Sequence, residues 1–133
     1  SISIKAILMS TIIIAVVLGV FSVLASSSSL GHALVYAQGA SVSIVPNAST
    51  MGDKAFSPNP VEIKAGETVT WTNDDSQIHT ATSGKVGAED SGKVFDSKIL
   101  SPKATFDFKF DQAGEIDYYC TLHPQMVGKV VVS

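Results

Sequence analysis

The chain has 133 residues, is 45% hydrophobic, and sets nine lysine and arginine residues against twelve acids for a formal net charge of −3. That length suits one domain and not two. A mildly acidic chain whose positive charges are all lysine is a poor nucleic-acid binder, and its charge otherwise signals only solubility.

The first third differs from the rest. Ala6 to Leu24 contains no charged residue and is dominated by Ile, Val, Leu and Ala; Lys5 precedes it and the serines Ser26 to Ser29 follow. Positive end, apolar run, polar segment is the order of an export signal. Val35-Tyr36-Ala37 offers small or modest residues one and three positions before a cut ahead of Gln38. The same run also suits a retained anchor, because nineteen helical residues rise about 28 Å, close to the hydrocarbon thickness. Lys5 would then stay in the cytoplasm. A buried core helix is disfavoured, since no amphipathic pattern marks an exposed face. Signal and anchor both remain open. Either one divides the chain into a leader with its linker, residues 1–37, and a folded domain, residues 38–133. Either one also places that domain outside the cytoplasm, in a periplasm or on the outer face of the cell membrane.

Beyond the leader the pattern is of short strands. Ser41 to Val45 and Val61 to Lys64 alternate polar and apolar residues, with Ala65-Gly66-Glu67 as a turn. Thr68 to Thr72 sets Val69 and Trp71 on one face and threonines on the other. In Ala104 to Phe110, Phe106, Phe108 and Phe110 share a face. Glu115 to Cys120 groups Ile116, Tyr118 and Cys120, and Val127 to Val132 closes the domain. Period-2 patterning with turn residues between short runs predicts an all-β, antiparallel sandwich. Asn73 to Gly92 is the longest irregular stretch and leaves room for a short helix; it contains His79.

The chemistry concentrates in Cys120-Thr121-Leu122-His123-Pro124-Gln125-Met126. A thiolate, an imidazole and a thioether sit at spacings of three on one inter-strand loop. If that loop curls, all three surround one point. His79 brings a second imidazole from another loop, and in a sandwich the two loops can lie at the same end. Past the leader, which holds His32 and Met9, the domain has only His79 and His123, only Cys120, and only Met51 and Met126. A single cysteine cannot form an internal disulfide; it is an intermolecular link, an inert buried thiol or a ligand. Singly, each of these residues reads as a buried hydrophobe, a solvated histidine or ordinary core. Together they match two His and one Cys in a plane with a distant Met, the type 1 copper arrangement. Thiolate and thioether favour Cu(I), imidazole suits both oxidation states, and the compromise geometry changes little on electron transfer. Zinc would prefer a tetrahedral site without a thioether.

Tyr118 to Val132, and Phe56-Ser57-Pro58 through Val61 to Asn73, closely resemble the plastocyanin-like cupredoxins, and within them the amicyanin type with its short Cys-x-x-His-x-x-Met loop. The resemblance runs from about Val42 to Ser133. It implies a Greek-key β-sandwich with one copper near one end. His79, Cys120 and His123 would be the equatorial ligands and Met126 the axial one. His123 would present its ring edge through an apolar patch, for which Leu122, Pro124 and Val127 are candidates, to redox protein donors and acceptors. Membrane-tethered relatives in archaea make a retained anchor compatible with this family. Two positions depart from it. The family often has Pro before the first ligand His and Asn after, where this chain has Ile78 and Thr80. The Asn ties the two ligand loops together; Thr80 and Thr121 could do so with hydroxyls, less rigidly.

The expected function is a blue-copper electron shuttle, with no catalytic residue and no substrate of its own. A copper chaperone or store is the alternative, but it would use an open site richer in Met and His. A copper enzyme such as an oxidase or nitrite reductase would need further histidines or a second cysteine, which this domain lacks.

Overall fold

The computed structural model describes residues 39–133. The expected leader, residues 1–37, lies outside them. Eight strands follow in order: β1 (Ala40–Ile44), β2 (Phe56–Ser57), β3 (Val61–Ile63), β4 (Glu67–Asn73), β5 (Thr82–Ser83), β6 (Thr105–Phe110), β7 (Gly114–Tyr119) and β8 (Val127–Val132). They form two four-stranded sheets, ordered β2-β1-β4-β6 and β3-β8-β7-β5.

The strands form where alternation separates an inner face from an outer one. In β6, Thr105, Asp107 and Lys109 are exposed, while Phe106 and Phe108 are half-buried and Phe110 is buried. β4 contributes Val69 and Trp71, both fully buried, from between β1 and β6. Trp71 centres an aromatic cluster with Phe95 at 5.0 Å, Tyr118 at 5.5 Å and Phe106 at 5.8 Å between ring centroids. Such rings bury large apolar areas and dominate core energetics.

The sandwich is not wholly antiparallel, as the sequence pattern led one to expect. β1 pairs with β4 in parallel, with Val42 opposite Trp71, and β3 pairs with β8 in parallel, with Val61 opposite Val130. Alternation reports which face a side chain takes, not which way the neighbouring strand runs. Parallel neighbours arise here because the chain leaves one sheet for the other and returns, as from β2 through β3 to β4.

The stretch from Asn73 to Gly92 holds β5 and turns, without a helix. Gly84, Gly87 and Gly92 have φ of 97°, 78° and 75°, a left-handed region that a right-handed helix does not enter. Two short 3-10 turns, Ala48–Thr50 and Gly52–Lys54, lie instead between β1 and β2.

The β7–β8 hairpin carries the Cys120–Met126 loop. Within it Tyr118 pairs with Gly128, and both residues are buried. A Cβ at Gly128 would stand 2.3 Å from Cζ of the Tyr118 ring, so the absence of a side chain there is what lets the ring lie flat against the sheet.

Candidate metal centre

Cys120 is the first residue after β7 and Met126 the last before β8. The segment between them curls tightly: the Cys120 amide donates to the Met126 carbonyl at 3.1 Å, and the Met126 amide donates to the His123 carbonyl at 2.9 Å. The spacing of three therefore turns the side chains inward. His79 arrives from the loop between β4 and β5. Its amide and carbonyl both pair with Leu100, at 3.2 and 2.8 Å, which pins the backbone beside the imidazole.

The structure brings His79, Cys120 and His123 together, with one potential ligand atom from each lying within 4.8 Å of the others. Cys120 Sγ is 3.9 Å from His79 Nδ1 and 3.8 Å from His123 Nδ1. Donors about 2.1 Å from a shared centre in a trigonal plane lie about 3.6 Å apart, so this spacing fits a metal ion between them. Met126, on the same loop, is fully buried. His79 and Cys120 are also fully buried, whereas His123 is partly exposed. A soft thiolate, a thioether and two imidazoles are the donor chemistry of copper rather than of a hard cation.

One member of this site escaped sequence reasoning. Asp75 Oδ2 accepts a hydrogen bond from His79 Nε2 at 2.7 Å, in a buried pair. With its proton on Nε2, the ring leaves the Nδ1 lone pair free toward Cys120. Burial pushes the Asp75 carboxyl up, but hydrogen bonds from His79 and from the Asn47 and Ser76 amides outweigh it and hold the group below its ordinary value. Asn73 braces the loop. Its side-chain oxygen accepts from the Asp75 amide at 3.0 Å, and its side-chain nitrogen donates to the Gln77 and Leu100 carbonyls at 2.7 and 2.9 Å. Asp75 lies four residues before His79, but Asp74 beside it is of the same type, and spacing alone did not single out either.

The Ile78 and Thr80 departures acquire a structural meaning. Thr80 Oγ1 accepts from the Thr121 amide at 2.9 Å, so a hydroxyl links the two ligand loops. The Thr80 amide donates to Cys120 Sγ at 3.3 Å. Ile78 is 45% exposed, alongside Leu122 at 44% and Val127 at 41%. Pro124 is also exposed, so all three patch candidates reach the surface on or beside the ligand loop.

Comparison with known proteins agrees with this geometry. The family described as copper binding proteins, plastocyanin/azurin family, matches residues 42–133. Amicyanin from Paracoccus versutus is 40% identical over 74 residues, 54% of this chain and 53% of the relative. Chloroplastic plastocyanin from Tetradesmus obliquus is 37% identical over 87 residues, 61% of this chain and 60% of the relative. The chain thus spans little more than half the length of these curated relatives. A solved structure described as a novel purple cupredoxin from Nitrosopumilus maritimus superposes with a TM-score of 0.64 at 37% identity, covering 71% of this chain and 99% of that one.

Proposed function

The chain belongs to the plastocyanin/azurin family of copper binding proteins, and from that membership we propose that it is a single-electron carrier whose one copper is held by His79, Cys120, His123 and Met126. The observation that carries this reading is the cluster of two imidazole nitrogens and one thiol sulfur within 4.8 Å, on loops that the fold pins independently. When bound, copper supplies the couple between Cu(I) and Cu(II).

The protein's part is to keep the donors still. The Leu100 pairing and the Asp75 carboxylate fix His79 in place and in tautomer. The curled loop fixes Cys120, His123 and Met126, and the Thr80 hydroxyl joins the two loops. A cage that moves little between oxidation states lowers the reorganisation that electron transfer requires. The Thr80 amide, donating to the Cys120 sulfur, withdraws charge from the thiolate and so favours the reduced state.

Electrons would enter and leave at the partly exposed His123 edge, with Ile78, Leu122, Pro124 and Val127 as the surface on which redox proteins dock. Full burial of His79, Cys120 and Met126 argues against a chaperone, whose copper must pass to an acceptor through an open site. As a carrier it passes electrons between partners and turns over no substrate of its own. The charge pattern of the leader supports export, with the domain working outside the cytoplasm and on the membrane if the leader is retained.

The direct test is a visible spectrum with voltammetry of the copper-loaded domain. An intense absorption near ~600 nm from thiolate-to-Cu(II) charge transfer and a reversible one-electron wave are expected. A colourless Cu(II) protein would refute the reading, and ready loss of copper to a metal-free acceptor protein would favour the chaperone.

Two variants probe individual roles. Met126→Gln is expected to keep copper and colour but lower the potential, because a harder oxygen donor favours Cu(II); a rise by voltammetry would contradict the axial role. Asp75→Ala leaves the His79 Nε2 proton buried without its acceptor, and copper affinity is expected to fall about 10- to 100-fold in a competition titration. Parental affinity would place Asp75 outside the centre.

A further inference from the structure

A file of hydrogen-bonded side chains runs from the surface to the ligand loop. Asp96 Oδ1 accepts from the Thr82 hydroxyl at 3.2 Å. Thr82 Oγ1 lies 2.9 Å from Thr80 Oγ1, which in turn accepts from the Thr121 amide at 2.9 Å and lies 3.2 Å from the Thr121 hydroxyl. Thr80 and Thr82 are buried, and the Asp96 side chain is 26% exposed.

The two ends of the file set the direction of every bond in it. An ionised carboxylate only accepts, and a hydroxyl has one proton to give. The Thr82 proton therefore goes to Asp96, and Thr80 must give its own to Thr82. What Thr80 then offers Thr121 is lone pairs alone, and both the amide and the hydroxyl of Thr121 donate to it. Burial pushes the Asp96 carboxyl up, but the Lys98 amide and ammonium outweigh it and hold the carboxyl below its ordinary value, which keeps the file anchored on a charged acceptor. Thr80, at the inner end, is also the residue whose amide touches the Cys120 sulfur.

We propose that Asp96 is a positioning residue of the copper centre: through Thr82 it commits Thr80 to accept from Thr121, and so holds the Thr80 amide against the Cys120 thiolate. This rests on the ligand assignment made above. It assigns a role in tuning the centre to a carboxylate on a different segment from every ligand. Hydrogen bonds that share a charged terminus polarise one another, so the file is stiffer than its members taken singly.

The test uses Thr82→Val, which removes the hydroxyl and keeps the shape, Thr82→Ser, which restores the hydroxyl, and Asp96→Ala, which changes a partly exposed position and guards against a misfolded Val variant. In the metal-free protein, amide exchange at Thr121 is followed against Tyr118 as a core reference. In the copper-loaded protein, the potential and the thiolate absorption are measured. Thr82→Val and Asp96→Ala are expected to speed Thr121 exchange about tenfold more than Tyr118 exchange, the effect of weakening one hydrogen bond. They are also expected to lower the potential, while Thr82→Ser behaves as the parent. Exchange at Thr121 that changes only in step with Tyr118 would overturn the proposal, as would a parental potential and absorption in both disrupting variants. A parent protein without thiolate absorption would overturn the ligand assignment instead, a failure that leaves the metal-free exchange results unaltered and is told apart by them.

Discussion

Replacing Cys120 by serine is expected to abolish the intense absorption near ~600 nm while the sandwich survives. A hydroxyl is too hard and too basic to stand in for a thiolate, and this is the only cysteine in the chain, so no other residue can supply the charge-transfer donor. The fold should persist because the substitution removes little volume, and the new hydroxyl meets polar neighbours, the Thr80 amide and the two imidazoles. A cost of about 1 kcal/mol in the metal-free protein is the expected scale. Circular dichroism and thermal unfolding check the fold, and the visible spectrum checks the site. An intensely coloured serine variant would end the type 1 assignment.

Gly128→Ala is expected to destabilise the domain strongly through a single added methyl group. Its Cβ would meet Tyr118 Cζ at 2.3 Å, Oη at 2.6 Å and Cε1 at 2.7 Å. The ring has nowhere to retreat, being 1% exposed and wedged by Phe56 at 4.7 Å, Trp71 at 5.5 Å and Phe95 at 5.9 Å. Overpacking of this kind costs about 3 kcal/mol, enough to lower Tm by more than about 10 °C in a domain of this size. Tyr118→Leu should relieve the clash, so the double variant is expected to be more stable than the sum of the two single costs by about 1–2 kcal/mol. Strict additivity in chemical denaturation would show that the added methyl meets something other than this ring.

The parts legible in the sequence were those that repeat or stand alone. Alternating runs located β1, β3, β4, β6 and β7, and a Val-rich run located β8, each to within a residue or two, because apolar residues at every second position mark a strand that faces a core. The Cys120–Met126 loop was legible because its donor types are scarce in this domain. Phe95 and Leu100 were not identified as core, though both are buried, since the segment carrying them has no periodicity and is held by scattered pairings such as that of Leu100 with His79. Asp75 was hidden for a different reason. Asp74 and Asp75 are neighbours of identical type, and only the closed loop sends Asp75 to His79 while Asp74 accepts from Ser43. The direction of the β1–β4 and β3–β8 pairings was equally illegible, because it depends on crossings between sheets rather than on any local pattern.

The position of β8 sets a schedule for the maturing protein. Synthesis proceeds from the N-terminus, so β8 is the last of the eight strands to be made, yet it lies in the interior of its sheet, between β3 and β7. Until it inserts, β3 has no sheet partner, the Tyr118 ring lacks the floor provided by Gly128, and the Cys120–Met126 loop has no second stem. The four donors therefore cannot converge on a nascent chain. A lone thiol and a lone histidine remain separate, weak sites until the final strand docks, and metal capture becomes a late event that reports completion of the fold.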